Sequence, residues 1–574
     1  MYHSMKASKQ TFRSHFWLSS CSRQPRESAP PPQNRMGARR QSGPSAGGQQ
    51  ATAKVAEAKG KTKSTAKAAK VTEAKGKTKA TAKETKATAK TKAVAKAKAA
   101  AAAKGKTRAK NGANGASRRV SRMGNILQWA PRMWQELDDF ARHRLEHIFR
   151  AQTRLTTSYS GIGFFEMTYH RLKEHIAPKA PPLEVYSACD IDVHCQTVLR
   201  HMGGPSAAEH IFSNILDTIS PADRARLDII HGQFQAQVQA NVEHGGMSKQ
   251  AAVRQVDTGM LDSMDVVMKK AVFQKTAWCV KCGRECVLKP PPVSSDVLTG
   301  NAAGSVCVEF SSRGGQMGLV GAMVGLWLCW IYQRLAWADE EDFIFHECTR
   351  THPTEFLMRR YLEETHWIWT FVVSPHMLSW PATRHRKMCM AVSKRFVLRS
   401  QSVPRSPAVL FKDSFVGNDS SIFWCEPNAD EIEPLTAGDQ RRLECFQAWV
   451  AEQRALGHEE WNGEAFYDIS QSLKYCKKAQ HHIGCLLTKT RWWSHEDERA
   501  MSAREALQVM GLPMLGPVAA AAGWKPDFGD AMDLMSPSRV RRFAGNGLHM
   551  PCVAALLLWC FGHAVEPPPE SRWP

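Results

Sequence analysis

LTTSYSGIGFFEM, residues 155–167, decides how the rest of the chain is read. Leu155–Tyr159 is a short β-prone run, Gly161 and Gly163 follow at once, and a helical stretch comes next. A strand, a glycine turn and a helix are what a nucleotide-type cofactor needs. Glycines let it approach the backbone, and a helix N-terminus favours its negative groups. Many βα turns hold two glycines, so the stretch gains its meaning only beside a second segment. VYSACDIDVHCQTVL, residues 185–199, is a second strand ending at Asp190, and an acid at a second strand end can hold ribose hydroxyls. The other reading of Asp190 is a helix N-cap, with Gln196 and Val198 on the helix it would start.

Farther along, GSVCVEFSSRGGQMGLVG, residues 304–321, sets Cys307 in a strand-like Val306–Phe310 run before Gly314, Gly315, Gly318 and Gly321. A cysteine at a strand end, beside a glycine-rich loop that can close over a substrate, is a nucleophile candidate. Taken alone it is a small buried hydrophobe. DFIFHECT, residues 342–349, leads to Glu347 at another strand end. One loop, one helix and one strand separate Cys307 from Glu347. In a parallel sheet one such crossover brings both to the same carboxyl edge, facing the crevice of the Gly161–Gly163 turn.

Eight segments in order then resemble the motifs of the DNA (cytosine-5)-methyltransferases, from about residue 155 to 565. Tyr159-Ser160-Gly161-Ile162-Gly163 resembles the cofactor loop F-x-G-x-G, and Asp190 stands at the family's ribose acid. Ser213-Asn214-Ile215 resembles G-D-I, and residues 304–311 resemble G-x-P-C-Q-x-F-S. His346-Glu347-Cys348 stands at E-N-V, and Pro381-Ala-Thr-Arg384-His-Arg386 resembles P-Q-x-R-x-R. SAREALQVMGLP, residues 502–513, and AGNGLHMP, residues 544–551, resemble the two late motifs. Val306, Val308, Cys348, Asn214 and Ala382 depart from the family pattern; Cys307, Glu347, Arg384 and Arg386 keep it.

The resemblance implies an α/β fold: a Rossmann-like, doubly wound, mostly parallel sheet with a smaller target-recognition region. It implies S-adenosylmethionine as cofactor, held by Tyr159, Gly161, Gly163, Asp190, Ile191, Asn214 and Asn546. It implies Cys307 as nucleophile at C6 of a flipped-out cytosine, Glu347 at N3, and Arg384 and Arg386 orienting the base and lowering the thiolate pKa. The domain expectation is a catalytic domain over 126–392 with an insertion at 216–303, a recognition region at 393–495, and a return to the catalytic domain over 496–574. Eight Lys/Arg and no acid between Arg384 and Lys412 suggest phosphate contacts.

Charge divides the chain. Residues 1–125 hold 30 Lys/Arg against 4 acids, and the remainder holds 47 against 50. A near-neutral body with a cationic tail excludes a uniformly basic structural protein. KVAEAKGKTKSTAK, residues 54–67, returns as KVTEAKGKTKATAK at 70–83, in a Lys/Ala/Thr stretch that runs on to Lys110. Such a tail has almost nothing to bury, so it reads as disordered, similar to a linker-histone tail, and it binds DNA phosphates by counterion release. A nuclear location follows from that reading. The first 26 residues, acid-free, also fit an organelle transit peptide. The 16 cysteines are scattered, with only Cys21 before residue 150, which suggests a reduced compartment. The longest uncharged apolar run, Gly318–Tyr332, falls short of the roughly 20 residues of a membrane span and reads as a buried helix.

Cys279, Cys282 and Cys286 have metal-ligand spacing but lack a fourth ligand, for which His231 and His244 are candidates; a reduced cluster is the other reading. Cys476, His481, His482 and Cys485 form a weaker cluster. Three functions compete: a DNA methyltransferase, an RNA (tRNA) methyltransferase on the same fold, and a catalytically silent chromatin-binding protein.

Overall fold

The computed structural model describes residues 117–305, 307–311, 315–399, 404, 406–425, 432–461, 464–471 and 482–568. The basic tail to residue 116, Val306, Arg405, Cys476 and His481 lie outside the described residues.

A nine-stranded sheet organises the body, in the order β5-β4-β3-β2-β1-β6-β7-β9-β8. Its strands are β1 Gln152–Ser158, β2 Leu183–Cys189, β3 Ala208–Phe212, β4 Thr276–Cys279, β5 Arg284–Val287, β6 Val297–Gly304, β7 Phe343–Thr349, β8 His366–Val373 and β9 Arg386–Ser393. The central strands β3, β2, β1, β6 and β7 are parallel. The flanking pairs are antiparallel. The sheet is therefore doubly wound and mostly parallel, as the sequence suggests. Chain order reverses between β1 and β6, so a crevice opens at their carboxyl ends.

Burial explains the strand composition. In β6 Gly300 leaves room for the Phe343 ring, which a Cβ would meet at 2.2 Å. Asn301 is fully buried yet satisfied: its amide donates to the Thr156 carbonyl (3.1 Å) and accepts from the Trp330 indole (2.8 Å). The run Gly318–Tyr332 becomes a short 3₁₀ turn, Gly318–Val320, and the buried helix Met323–Ala336.

Three expectations are corrected. The helix read over 131–150 is two, Trp129–Gln135 and Asp139–Arg150, because Asp138 stops the first and caps the second by accepting from the Ala141 N–H (2.7 Å). The strand before Cys307 ends at Gly304; residues 308–310 form a turn in which the Cys307 carbonyl accepts from the Phe310 and Ser311 N–H groups. The segment 216–303 includes β6, so the inserted part is smaller: two helices, Pro221–Glu243 and Lys249–Met268, and the β4–β5 hairpin.

Beyond β9 lie the helix Ala437–Ala455 and a small antiparallel sheet of Phe466–Asp468, Trp492–Ser494 and Arg499–Ala500. The chain then returns through Met550–Trp559, which packs on the helix Phe164–Ile176 that follows the glycine turn. The apolar stretch Pro537–Ala564 is long enough to cross a membrane, but its most apolar window is 94% buried inside the fold and reads as core.

Candidate functional site

The glycine turn, Asp190, Asn214, Cys307 and Glu347 stand at or just past the ends of strands. The β1 end carries the turn: Tyr159 has φ +53°, Gly161 +59° and Gly163 +85°. Gly163 precedes the helix Phe164–Ile176, and a Cβ there would also meet Met202 Cε at 2.5 Å. Nothing lies within 4 Å of a Cβ placed on Gly161. The Tyr159 hydroxyl is buried and has no hydrogen-bond partner among the described residues.

Asp190, after β2, is the clasp of this turn. One carboxylate oxygen accepts from the Gly161 N–H at 2.8 Å and the other from the Asp192 N–H at 2.9 Å. Burial pushes its carboxyl up to about 6, against those N–H donors. The helix cap is Asp192, which accepts from the His194 N–H, so the N-cap reading of Asp190 does not hold. Ile191 beside it is 67% exposed. Asn214, past β3, caps its own turn through the Leu216 N–H.

Sequence reasoning passed over Glu166, in the first turn of the helix after the glycines. One of its oxygens accepts from the Thr157 hydroxyl (2.5 Å), and the other is buried with no hydrogen-bond partner among the described residues. Burial raises this carboxyl to about 7. The signal was present: an acid three residues past the last glycine of such a turn faces back toward the strand.

On the other side of the crevice, β6 delivers Cys307 and β7 delivers Glu347. β9 is antiparallel to β7, so its first residues lie at this same edge: Arg386 is opposite Thr349 and Met388 opposite Glu347. The Arg386 Nε is 2.9 Å from a Glu347 oxygen, and both side chains are nearly buried. Burial raises the Glu347 carboxyl, and Arg386 and Arg384 pull it back. Burial, then the Glu347 charge, raises the Cys307 thiol, and the same two arginines lower it.

The loop bearing Cys307 is fastened to β7. The Ser305 N–H donates to the Glu347 carbonyl (3.1 Å), and the Ser305 hydroxyl lies 2.9 Å from His346 Nε2. The Trp327 indole also donates to that nitrogen (3.2 Å), so the buried imidazole is an acceptor there and neutral, its pKa lowered by burial to about 3. Cys348 sits 3.8 Å from the Ser305 carbonyl, a weak hold where the family pattern has an asparagine. Gly315 and Gly318 donate back to Val308 and Glu309, and Lys249 of the insertion reaches the Gly315 carbonyl (3.0 Å). Gly321 has no room for a side chain: a Cβ would meet Glu309 Cγ at 2.1 Å.

Arg384 is placed differently from the expectation. It is buried, and its guanidinium donates to the carbonyls of Leu486 (2.8 Å), Gly545 (3.1 Å) and Gly547 (2.8 Å). It clamps the end of the helix Pro537–Asn546, whose last residue is exposed, and reaches Cys307 and Glu347 only through its charge. The described neighbours in the basic run are also committed: Arg395 to Asp342, Arg399 to Glu566, Lys412 to Asp413, and Lys387 to the His352 carbonyl.

Among the described residues one cluster has metal-binding geometry: Cys279, Cys282 and Cys286 with His210. His231 and His244, the expected fourth ligands, are outside it; His231 lies 2.9 Å from the Gln235 amide instead. Cys485 of the second cluster lies 3.9 Å from Arg384 Nη1.

No family model and no curated protein matches the sequence. Solved structures do resemble the fold. A mutant DNMT2 of Spodoptera frugiperda is 13% identical, covering 71% of this chain and 100% of its own, at a TM-score of 0.35. The S. pombe Dnmt2 methyltransferase is 12% identical over 71% and 97%, TM-score 0.34. The Entamoeba histolytica methyltransferase EhMeth is 11% identical over 71% and 98%, TM-score 0.35.

Proposed function

We propose that this chain transfers a methyl group from S-adenosylmethionine to C5 of cytosine in DNA. The observation that carries the reading is one sheet edge holding a thiol at Cys307, a buried carboxyl at Glu347 paired with Arg386, and the Gly161–Gly163 turn across the crevice.

The cofactor fits the residues present. It carries two cationic centres, and Glu166 offers a buried carboxyl oxygen with no partner directly after the turn. Asp190 uses one lone pair of each oxygen on the backbone and keeps the others for ribose hydroxyls. Exposed Ile191 offers an apolar face for a base, with Asn214 and Asn546 bordering the space. When bound, S-adenosylmethionine supplies an electrophilic methyl group.

The protein's own residues do the rest. Cytosine C5 is a poor nucleophile. Once the Cys307 thiol has lost its proton to solvent, attack of the thiolate on C6 forms an S–C6 bond while Glu347 gives its proton to N3, which leaves C5 electron-rich. After C5 gains the methyl, its proton departs to solvent, the C5–C6 double bond reforms, the thiolate leaves and Glu347 recovers its proton. Glu347 and Cys307 are suited to share this work, because a protonated Glu347 removes the charge that holds the thiol up. Arg386 holds the carboxyl in place. The ring atoms lie inside a duplex stack, so the base must be flipped out.

DNA is favoured over RNA by the 30 Lys/Arg against 4 acids in residues 1–125, a pattern suited to long duplexes in chromatin. The test is labelled S-adenosylmethionine with duplex DNA and tRNA in parallel. Label at cytosine C5 of DNA supports the reading. Label in tRNA alone moves the substrate to RNA, and cofactor binding with no transfer to either leaves a silent chromatin-binding protein.

A further inference from the structure

The β4–β5 hairpin and the neighbouring β3 carry a second cluster of chemical groups. β4 ends in Cys279, Cys282 lies in the turn after it, and Cys286 lies in β5; His210 projects from the neighbouring β3. Their four ligand atoms all lie within 4.8 Å of one another. His210 Nδ1 is 3.5 Å from the Cys282 sulfur and 4.0 Å from the Cys279 sulfur. A tetrahedral zinc with Zn–S near 2.3 Å and Zn–N near 2.0 Å puts its ligand atoms roughly 3.5–3.8 Å apart.

The backbone is a second, independent observation. The N–H groups of Ile211 (3.3 Å) and Cys282 (3.4 Å) both donate to the Cys279 sulfur. N–H donors aimed at a sulfur stabilise its thiolate, the form that binds metal. The turn that wraps two sulfurs around one point is closed by Gly283 at φ +66°, whose N–H donates to the Cys279 carbonyl (2.9 Å). Lys281 fastens the turn to β3 through the Ala208 carbonyl (2.5 Å). A disulfide would use two of the three sulfurs and leave the third sulfur and the imidazole unexplained.

We propose that His210, Cys279, Cys282 and Cys286 hold one Zn²⁺ in a closed, structural site. Binding releases one proton from each of the three thiols to solvent, forms three Zn–S bonds and one Zn–N bond, and changes no oxidation state. Four protein ligands leave no position for substrate, so the ion acts on the fold. It joins the β4–β5 hairpin to β3 where Phe212 pairs with Cys279, directly before Ser213-Asn214. The metal thus stiffens the strand end that leads to that loop. The site stands whether or not the methyl-transfer reading does.

The test uses the full chain, purified under reducing conditions and analysed for metal by mass spectrometry. One equivalent of zinc per chain is expected. After zinc removal, added Co²⁺ should give the intense visible bands of tetrahedral thiolate ligation. Cys282 is exposed, so Cys282→Ser should stay folded by circular dichroism while its zinc content falls more than about tenfold. His210→Cys should keep the metal as a four-sulfur site, and His231→Ala and His244→Ala should keep it unchanged. A folded wild-type chain that takes up neither zinc nor cobalt overturns the proposal. So does full metal content in Cys282→Ser and His210→Ala, or loss of metal in His231→Ala.

Discussion

After burial, the Glu347 charge is what raises the Cys307 thiol, which gives a measurable sign. Arg386 lowers the thiol. Alkylation of Cys307 by iodoacetamide, followed by peptide mass spectrometry, should have a pH midpoint above the ordinary thiol value. Glu347→Gln removes a negative charge and should move the midpoint down. Arg386→Ala removes a positive charge and should move it up. Midpoints that do not respond to either change would separate the two groups from the thiol. The glycine turn makes a second prediction. Gly161→Ala meets no atoms but must hold φ +59°, costing about 1 kcal/mol in urea unfolding. Gly163→Val adds the Met202 collision and should cost about 3 kcal/mol as well as cofactor affinity, read by calorimetry. These positions were legible in the sequence because glycine adopts such backbone at the least cost. Glu166 was passed over: its place in the first helical turn aims it toward the strand, but only its burial shows why that matters.

Strand direction explains both what the sequence revealed and what it concealed. Parallel crossovers bring β1, β2, β6 and β7 ends to one edge, so Gly161, Asp190, Cys307 and Glu347 could be placed together from spacing alone. Arg384 and Arg386 are two residues apart, yet they face different work. Arg386 opens β9 beside Glu347, whereas Arg384 precedes the strand and turns into the protein toward three carbonyls. A motif of two arginines could not reveal that division, because the acceptors come from the chain more than 100 residues later. Arg384→Met should therefore destabilise the fold by about 3 kcal/mol, leaving buried carbonyls unpaired. Arg384→Lys should rescue little, since one ammonium cannot span all three. Equal urea midpoints for wild type and Arg384→Met would refute the clamp. The break at Asp138 was likewise hidden by an apolar spacing that runs unchanged across both helices. Asp138→Ala should cost about 1 kcal/mol.

Over the entire protein, charge and chemistry are segregated. The positive excess lies in residues 1–125, and the strand-end groups lie in a body of 47 Lys/Arg and 50 acids. Deleting residues 1–116 should reduce affinity for long DNA and flatten its dependence on salt, while turnover on a short duplex at low salt survives. An unchanged salt slope would show that the tail is no tether. The Cys/His cluster proposed to hold zinc shows how much a sequence withholds at this level: three cysteines lie close together in the chain, but His210 stands 69 positions before Cys279 and reaches it only because β4 pairs with β3. The proposed methyl transfer depends on one bond, from the Cys307 sulfur to C6 of a cytosine. DNA containing 5-fluorocytosine has no C5 proton to lose, so after methyl transfer the protein should stay covalently attached. The decisive measurement is this adduct, resolved on denaturing gels and mapped by mass spectrometry. The account predicts a methylated adduct at Cys307, dependent on S-adenosylmethionine, abolished in Cys307→Ser and kept in Cys348→Ser and Cys329→Ser. An adduct at another cysteine, or none with fluorinated DNA or RNA while S-adenosylmethionine still binds, would contradict it.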